Sequence, residues 1–162
     1  MLKSSERIEP ALEIKITSML AEHVLSVIEL ERQCQLSTRD LEAYIKLLKE
    51  PTSILMVALN EDRLVVGCFS GWLVADELEI DNVAVAPDWR RASVGTRLLV
   101  AALETARKNG AEKAFLEVRS NNSAACLLYE KIGFEAVGRR KNYYRDPVDD
   151  ALILSRKIAS LN

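Results

Sequence analysis

Two stretches of this sequence hold residue types at spacings that could do chemistry. In the first, Asp81-Asn82-Val83-Ala84-Val85-Ala86-Pro87 reads as a strand end, and Asp88-Trp89-Arg90-Arg91-Ala92-Ser93-Val94-Gly95-Thr96 as a short loop opening directly onto a helix. The first N–H groups of a helix lack partners within it and sit at the positive end of its dipole. Small residues at Ala92, Ser93 and Gly95 let an anion approach those groups, and Arg90 and Arg91 add charge beside them. The physical reading is a pyrophosphate cradle; the plain alternative is a strand-to-helix loop with two solvated arginines. In the second stretch, Glu117 interrupts the apolar run Ala114-Phe115-Leu116 and Val118, where an unpaired carboxylate is costly. It is either partnered, with Arg119 on the same side of the strand, or turned into a polar cleft. Burial there raises a carboxyl pKa toward the range useful to a general base. Tyr129, among Ala125, Leu128 and Ile132, reads from its neighbours alone as a core tyrosine.

These groups need a scaffold, and the periodicities supply one. Leu12 to Thr17 alternates apolar and charged residues and suggests a first strand. Ser18 can cap a helix with apolar residues at Leu20, Val24, Val27, Ile28 and Leu30, and a second helix starts near Ser37 or Thr38 and stops before Pro51. Three strands follow: Ser53 to Leu59, Leu64 to Val74 after an Asn60–Arg63 turn, and Glu77 to Ala86. Then come a helix over Val94 to Asn109 ended by Gly110, a strand over Lys113 to Val118, and a helix over Ser123 to Lys131 ended by Gly133. Phe134 to Arg140 and Ala151 to Lys157 are the last strands. The order β-α-α-β-β-β-α-β-α-β-β predicts an α/β sandwich on a mixed sheet with helices on both faces.

The bulk properties narrow the function classes. The chain has 162 residues, 49% of them apolar and 28% charged, which suits one globular domain over residues 1–162 with residues 1–11 as a loose lead-in. A net charge of −2 gives no general pull toward nucleic acid or an anionic membrane. The longest uncharged run, Leu64 to Ala75, is too short to span a bilayer, and the N-terminus has no apolar signal core. His23 is the one imidazole, which all but excludes metal clusters and His-based triads. Cys34, Cys68 and Cys126 have no CxxC spacing and are expected to be reduced, buried thiols in a cytoplasmic protein, with Cys126 a small apolar filler.

The loop motif resembles the acetyl-CoA motif of the GNAT superfamily, an Arg/Gln-x-x-Gly-x-Gly/Ala loop after a Val-Ala-Val-x-Pro strand end, with Arg90, Ser93 and Gly95 at its three fixed positions. Leu116-Glu117-Val118-Arg119, Asn122-x-x-Ala125, Leu128-Tyr129-Glu130 and Gly133-Phe134 are similar to the second half of the RimI-type N-acetyltransferases of that superfamily. So are Arg139-Arg140-Lys141-Asn142-Tyr143-Tyr144 and Asp149-Asp150-Ala151. The likeness covers roughly residues 77–158. It implies a GNAT-like, mostly antiparallel central sheet, acetyl-CoA as cosubstrate without a metal, and acetyl transfer to the N-terminal α-amine of a protein. The implied acceptor is a small-subunit ribosomal protein with N-terminal alanine. By the resemblance, Val83, Ala84 and Val85 offer backbone groups to the pantetheine arm and acetyl carbonyl, and Arg91, Ala92, Ser93, Val94, Gly95 and Thr96 hold the pyrophosphate. Asn122 bonds the pantetheine, Glu117 accepts a proton and Tyr129 donates one, while Tyr143 and Tyr144 line the peptide groove.

Two departures stand out. Ser93 puts a Cβ where the motif has glycine, costing about 1 kcal/mol if that position needs positive φ. The loop Gln33-Cys34-Gln35-Leu36-Ser37 lacks the Pro-Trp pair often found there in the family, and that region shapes the acceptor groove. The expected state is a monomer or weak dimer with no direct nucleic-acid or membrane partner. A GNAT enzyme of a small amine or lysine, and a non-catalytic acyl-CoA-binding module, are the other readings. Arg139 to Lys141 is either a docking patch or a solvated hairpin.

Overall fold

The computed structural model describes residues 13–158, so the lead-in and Leu12 lie outside the described residues. Its elements are β1 (Lys15–Ser18), a 3₁₀ turn (Ala21–His23), α1 (Val24–Gln33), α2 (Leu41–Leu48), β2 (Ser53–Leu59), β3 (Val65–Val74), β4 (Glu77–Val85) and a 3₁₀ turn (Pro87–Trp89). There follow α3 (Val94–Lys108), β5 (Lys113–Arg119), α4 (Ser123–Lys131), β6 (Glu135–Arg145) and β7 (Val148–Lys157). The strands form one seven-stranded sheet in the order β1-β2-β3-β4-β5-β7-β6, antiparallel except where β4 runs parallel to β5. That single parallel pair is joined through α3, because a parallel connection needs a crossover.

Two cores flank the sheet. On one face α3 buries Val94, Leu98, Leu99, Ala102, Leu103 and Ala106 against Ile54, Met56, Phe69, Leu78, Ile80 and Leu116, and Tyr129 of α4 joins the same cluster. On the other face Val24, Val27, Ile28 and Tyr44 of α1 and α2 meet Leu55, Val57, Cys68 and Ala84. The expected mixed sheet with helices on both faces is found.

β4 changes sides part-way. Leu78 and Ile80 point to the α3 face, but so do Val83 and Val85, while Ala84 joins the α1–α2 core. The register explains the change: Ser70 pairs with Asn82 and Gly71 with Ile80, so Asp81 is an extra residue, a β-bulge. One inserted residue reverses the alternation of everything after it.

The helix starts differ from the sequence expectation. Ser18 belongs to β1 and caps nothing; instead the 3₁₀ turn leads into α1, with His23 Nδ1 accepting the Leu20 N–H at 3.0 Å and Leu20 itself exposed. Thr38 gives its hydroxyl to Glu31, leaving Asp40 to cap α2 by accepting the Ala43 N–H at 2.8 Å. β6 extends past Arg140 to Arg145 through a bulge in which Asn142 has a φ of 51°. Of the cysteines, Cys68 is buried as expected, but Cys34 and Cys126 are only half-buried.

Candidate active site

β4 and β5 are paired only from Glu77–Glu79 to Lys113–Phe115, although β4 continues to Val85 and β5 to Arg119. Beyond Glu79 and Phe115 the two strands part. β3 holds the other side of β4 as far as Val85, so the sheet opens without coming apart. Backbone polar groups facing such an opening have no ladder partner, which is the condition for binding an extended ligand through its amides. Val83, Ala84 and Val85 stand on the β4 side of it. The carbonyl of Val85 is taken, accepting from Arg90 Nε at 3.3 Å and from the Cys34 thiol at 3.5 Å.

The outer end of this opening is the turn into α3. Arg91 and Ser93 both have left-handed backbone, with φ of 70° and 61°. Turns of this kind gather backbone N–H groups into anion-binding concavities. In α3 the Arg97 N–H bonds the Ser93 carbonyl at 3.0 Å, and the first N–H groups of a helix, ahead of such a bond, have no partner within it. Gly95 lies under the turn: a Cβ there would be 3.2 Å from Leu128 Cδ2 and 3.6 Å from Val85 Cγ2. Ser93 therefore occupies a position that favours glycine, and its hydroxyl makes no capping bond. Arg90 is turned away from this concavity, toward Val85 and the Cys34 sulfur at 3.7 Å. Arg91 is exposed and has no ion pair among the described residues.

The acid and base candidates come to opposite faces of the sheet. Ala114, Leu116 and Val118 of β5 join the α3–α4 core, so Glu117 and Arg119 face the α1–α2 side. Tyr129 of α4 lies in that α3–α4 core, on the other face. It is 7% exposed and packed edge-to-face on Phe134 at 5.6 Å. Its hydroxyl has no hydrogen-bond partner among the described residues. Burial pushes this hydroxyl's pKa well up, which keeps it protonated.

Glu117 departs from expectation twice. It is exposed rather than buried, and its partner is Arg140, with Nε 3.1 Å from Oε1, not Arg119. Arg119 instead donates to the Pro147 carbonyl at 2.9 Å and lies 4.2 Å from the centre of the Tyr144 ring. Register accounts for the exchange. Ala151 of β7 lies between Arg119 and Arg140, and its small side chain leaves that face open for both arginines. Burial, then the Glu117 charge, push the Tyr144 hydroxyl pKa up. Tyr143, half exposed, meets Tyr144 edge-on at 5.1 Å. Tyr144 thus stands near Glu117, and Tyr143 near Arg140, whose guanidinium is 5.7 Å from the Tyr143 ring centre.

The loop from β5 to α4 is held by carboxylates of β7. Asp149 accepts from the Ser120 hydroxyl at 2.6 Å and from the N–H groups of Asn121 and Asp150. The Ser120 bond foremost holds its pKa below the usual carboxylate range. Asp150 takes Arg139 at 2.6 Å and the Asn142 N–H at 2.9 Å, which makes Arg139 a brace of the hairpin. Asn122 caps α4 by accepting the Ala125 N–H at 3.1 Å, and its amide nitrogen has no acceptor among the described residues.

One group was not foreseen. Glu31 is 0% exposed, yet it accepts from Tyr44, from Asn82 and from the Thr38 hydroxyl at 3.3 Å. Desolvation raises its pKa while these three donors oppose the rise. The cluster ties α1, α2 and their connecting loop to β4 beside the bulge, where Arg39 also pairs with Asp81 at 2.7 Å. The available signal was position: Glu31 continues the buried series Val24, Val27 and Ile28 at helical spacing.

Among the described residues no group of three or more His, Cys, Asp or Glu could hold a metal ion, and no helix is long and apolar enough to cross a membrane. The chain matches the family model described as Acetyltransferase (GNAT) family over residues 23–134. It is 36% identical to a putative ribosomal protein bS18-alanine N-acetyltransferase of Bacillus subtilis over 141 residues, 86% of this chain and 92% of that one. It is 39% identical over 89 residues to the ribosomal protein bS18-alanine N-acetyltransferase of Escherichia coli, 54% of this chain and 60% of that one. The crystal structure of the Escherichia coli ribosomal-protein-S18-alanine N-acetyltransferase superposes with a TM-score of 0.81 at 25% identity, covering 93% of this chain and 97% of that one.

Proposed function

The chain belongs to the acetyltransferase (GNAT) family, and on that premise we propose that it moves the acetyl group of acetyl-CoA to the N-terminal α-amine of a ribosomal protein beginning with alanine. The observation that carries this reading is the parting of β4 from β5 beside the left-handed turn at Arg91 and Ser93. It offers an unpaired strand edge and an anion-binding helix start at the two ends of one cleft. The names of the Bacillus subtilis and Escherichia coli relatives supply the acceptor. The whole chain acts as one cytoplasmic domain.

Acetyl-CoA fits the residues present: Arg91 to Thr96 hold its pyrophosphate, and the β4 edge at Val83 to Val85 with the Asn122 amide holds its pantetheine. When bound it supplies an activated thioester carbonyl. The rest falls to side chains. Glu117 faces the α1–α2 side, from which the amine enters, and takes its proton. Tyr129, on the opposite face, gives a proton to the departing sulfur, for which its protonated state suits it. A backbone N–H of the β4 edge steadies the oxygen that gains charge. An α-amine of pKa about 7.7–8.0 needs far less help than a lysine at about 10.4, so one exposed carboxylate suffices.

The Glu117–Arg140 contact is what would favour a non-catalytic module. Its partners are 34% and 56% exposed, and exposed pairs are worth about 0–1 kcal/mol, so an incoming ammonium can take Arg140's place. The test is mass spectrometry of two peptides incubated with acetyl-CoA. One has a free N-terminal alanine; the other has a blocked N-terminus and an internal lysine. Acetylation of the first is expected, and acetylation of the second alone refutes the α-amine reading.

A further inference from the structure

The buried Glu31 cluster has no part in the chemistry above, but it fixes a group on the face of the sheet that carries Glu117. Asn82 follows the Asp81 bulge and points to the same face of the sheet as Glu117, across the opening between β4 and β5. Its amide nitrogen donates to Glu31 and, at 2.8 Å, to the Ser37 carbonyl of the α1–α2 loop. Both amide hydrogens are therefore spent, and the side chain cannot turn over without setting its oxygen against two acceptors. Its Oδ1 has no donor among the described residues, and the residue is only half-buried. Glu31 suits this task because a carboxylate offers only acceptor sites, and Tyr44 and Thr38 occupy the others.

We propose that Asn82 is a specificity-determining residue whose side-chain carbonyl accepts the first peptide N–H of the acceptor, with Glu31 and Ser37 fixing its orientation. This rests on the α-amine reading above. As the α-amine gives its proton to Glu117 on β5, the next donor along a peptide is the N–H of its second residue. Asn82 presents the oriented oxygen on the facing strand. A small amine or a lysine side chain has no N–H at that point, so this contact separates a protein N-terminus from those acceptors.

The experiment compares an alanine-starting peptide with its analogue in which the first peptide bond is an ester, which removes that one N–H. For the unaltered enzyme kcat/KM is expected to fall roughly tenfold with the ester, the usual worth of a well-made neutral hydrogen bond. In Asn82→Ala and Asn82→Ser the amide-to-ester ratio should fall close to one. In Glu31→Gln it should fall as well, because the new amide can donate to Oδ1 and release the orientation, although no acceptor contact has been removed. The ratio does not depend on how much enzyme folds, and stabilisation by acetyl-CoA should be retained in all three variants. Acetylation of both substrates with the same ratio in the unaltered enzyme and Asn82→Ala overturns the inference alone. Failure of the unaltered enzyme to acetylate the amide peptide overturns the α-amine reading and this inference with it.

Discussion

Replacing Ser93 by glycine should stabilise the protein, although it removes a side chain. Ser93 has a φ of 61° and ψ of 20°, and its hydroxyl caps nothing. A non-glycine residue pays about 1–2 kcal/mol for left-handed backbone. Glycine removes that cost but loses roughly 0.5–1 kcal/mol through the greater freedom of the unfolded chain. The balance is a gain of about 0.5–1 kcal/mol, or a rise in Tm of roughly 1–4 °C for a chain of this size. Ser93→Ala separates the causes, since it deletes the hydroxyl and keeps the strain; it should stay within about 0.5 kcal/mol of the parent. Urea unfolding of the three proteins, with and without CoA, reads both effects. CoA should bind more tightly to Ser93→Gly, because the variant has no Cβ beside the N–H groups proposed to receive its pyrophosphate. A glycine variant no more stable than the alanine variant refutes the strain at this position.

Other expectations follow from the same geometry. Tyr129→Phe should lower kcat by ~10² while CoA still raises the Tm, and full activity would make Tyr129 a core residue only. Glu117→Gln should depress kcat/KM near neutral pH, with the defect shrinking as pH rises through the α-amine pKa; a defect constant with pH removes Glu117 as the base. For Asp149 the sign is that of a lowered carboxyl: its stabilisation is present above the unfolded value of 3.8 and is lost as pH falls through the folded one. The Tm deficit of Asp149→Asn should therefore be full near pH 7 and close below about pH 4, and a deficit independent of pH would mean the carboxylate's charge is not what holds the Ser120 loop.

The order of elements was legible because each has a period and a stop. α3 ends at Lys108 with Asn109 as its cap, one residue short of the expected end, and β2 and α4 begin and end where expected. Long-range partners were not legible. Glu117 and Arg119 do share a face, as residues two apart in a strand must, but β6 brings Arg140 onto that face from a distance along the chain that no local pattern encodes. The full length of β6 was hidden for a related reason. Arg-Arg-Lys-Asn has weak strand preference, and its pairing with β7 and the bonds from Asp150 override that preference. Ser93 was recognisable as a substitution for glycine, but whether it mattered turned on a single dihedral angle.

A strand counts in twos, and Asp81 is the odd member of β4. Nearly any residue could fill the position without altering the count, so its side chain is not what the fold most depends on. Its presence is. Deleting it would carry Asn82 and Ala84 to the α3 side and turn Val83 and Val85 toward Glu31, placing apolar side chains against a carboxylate and an amide in the opposing core. This stretch should therefore tolerate substitution far better than a change in length. In any comparison of sequences, a gap here would mark a different arrangement of the acceptor side even where the residues on both sides still matched.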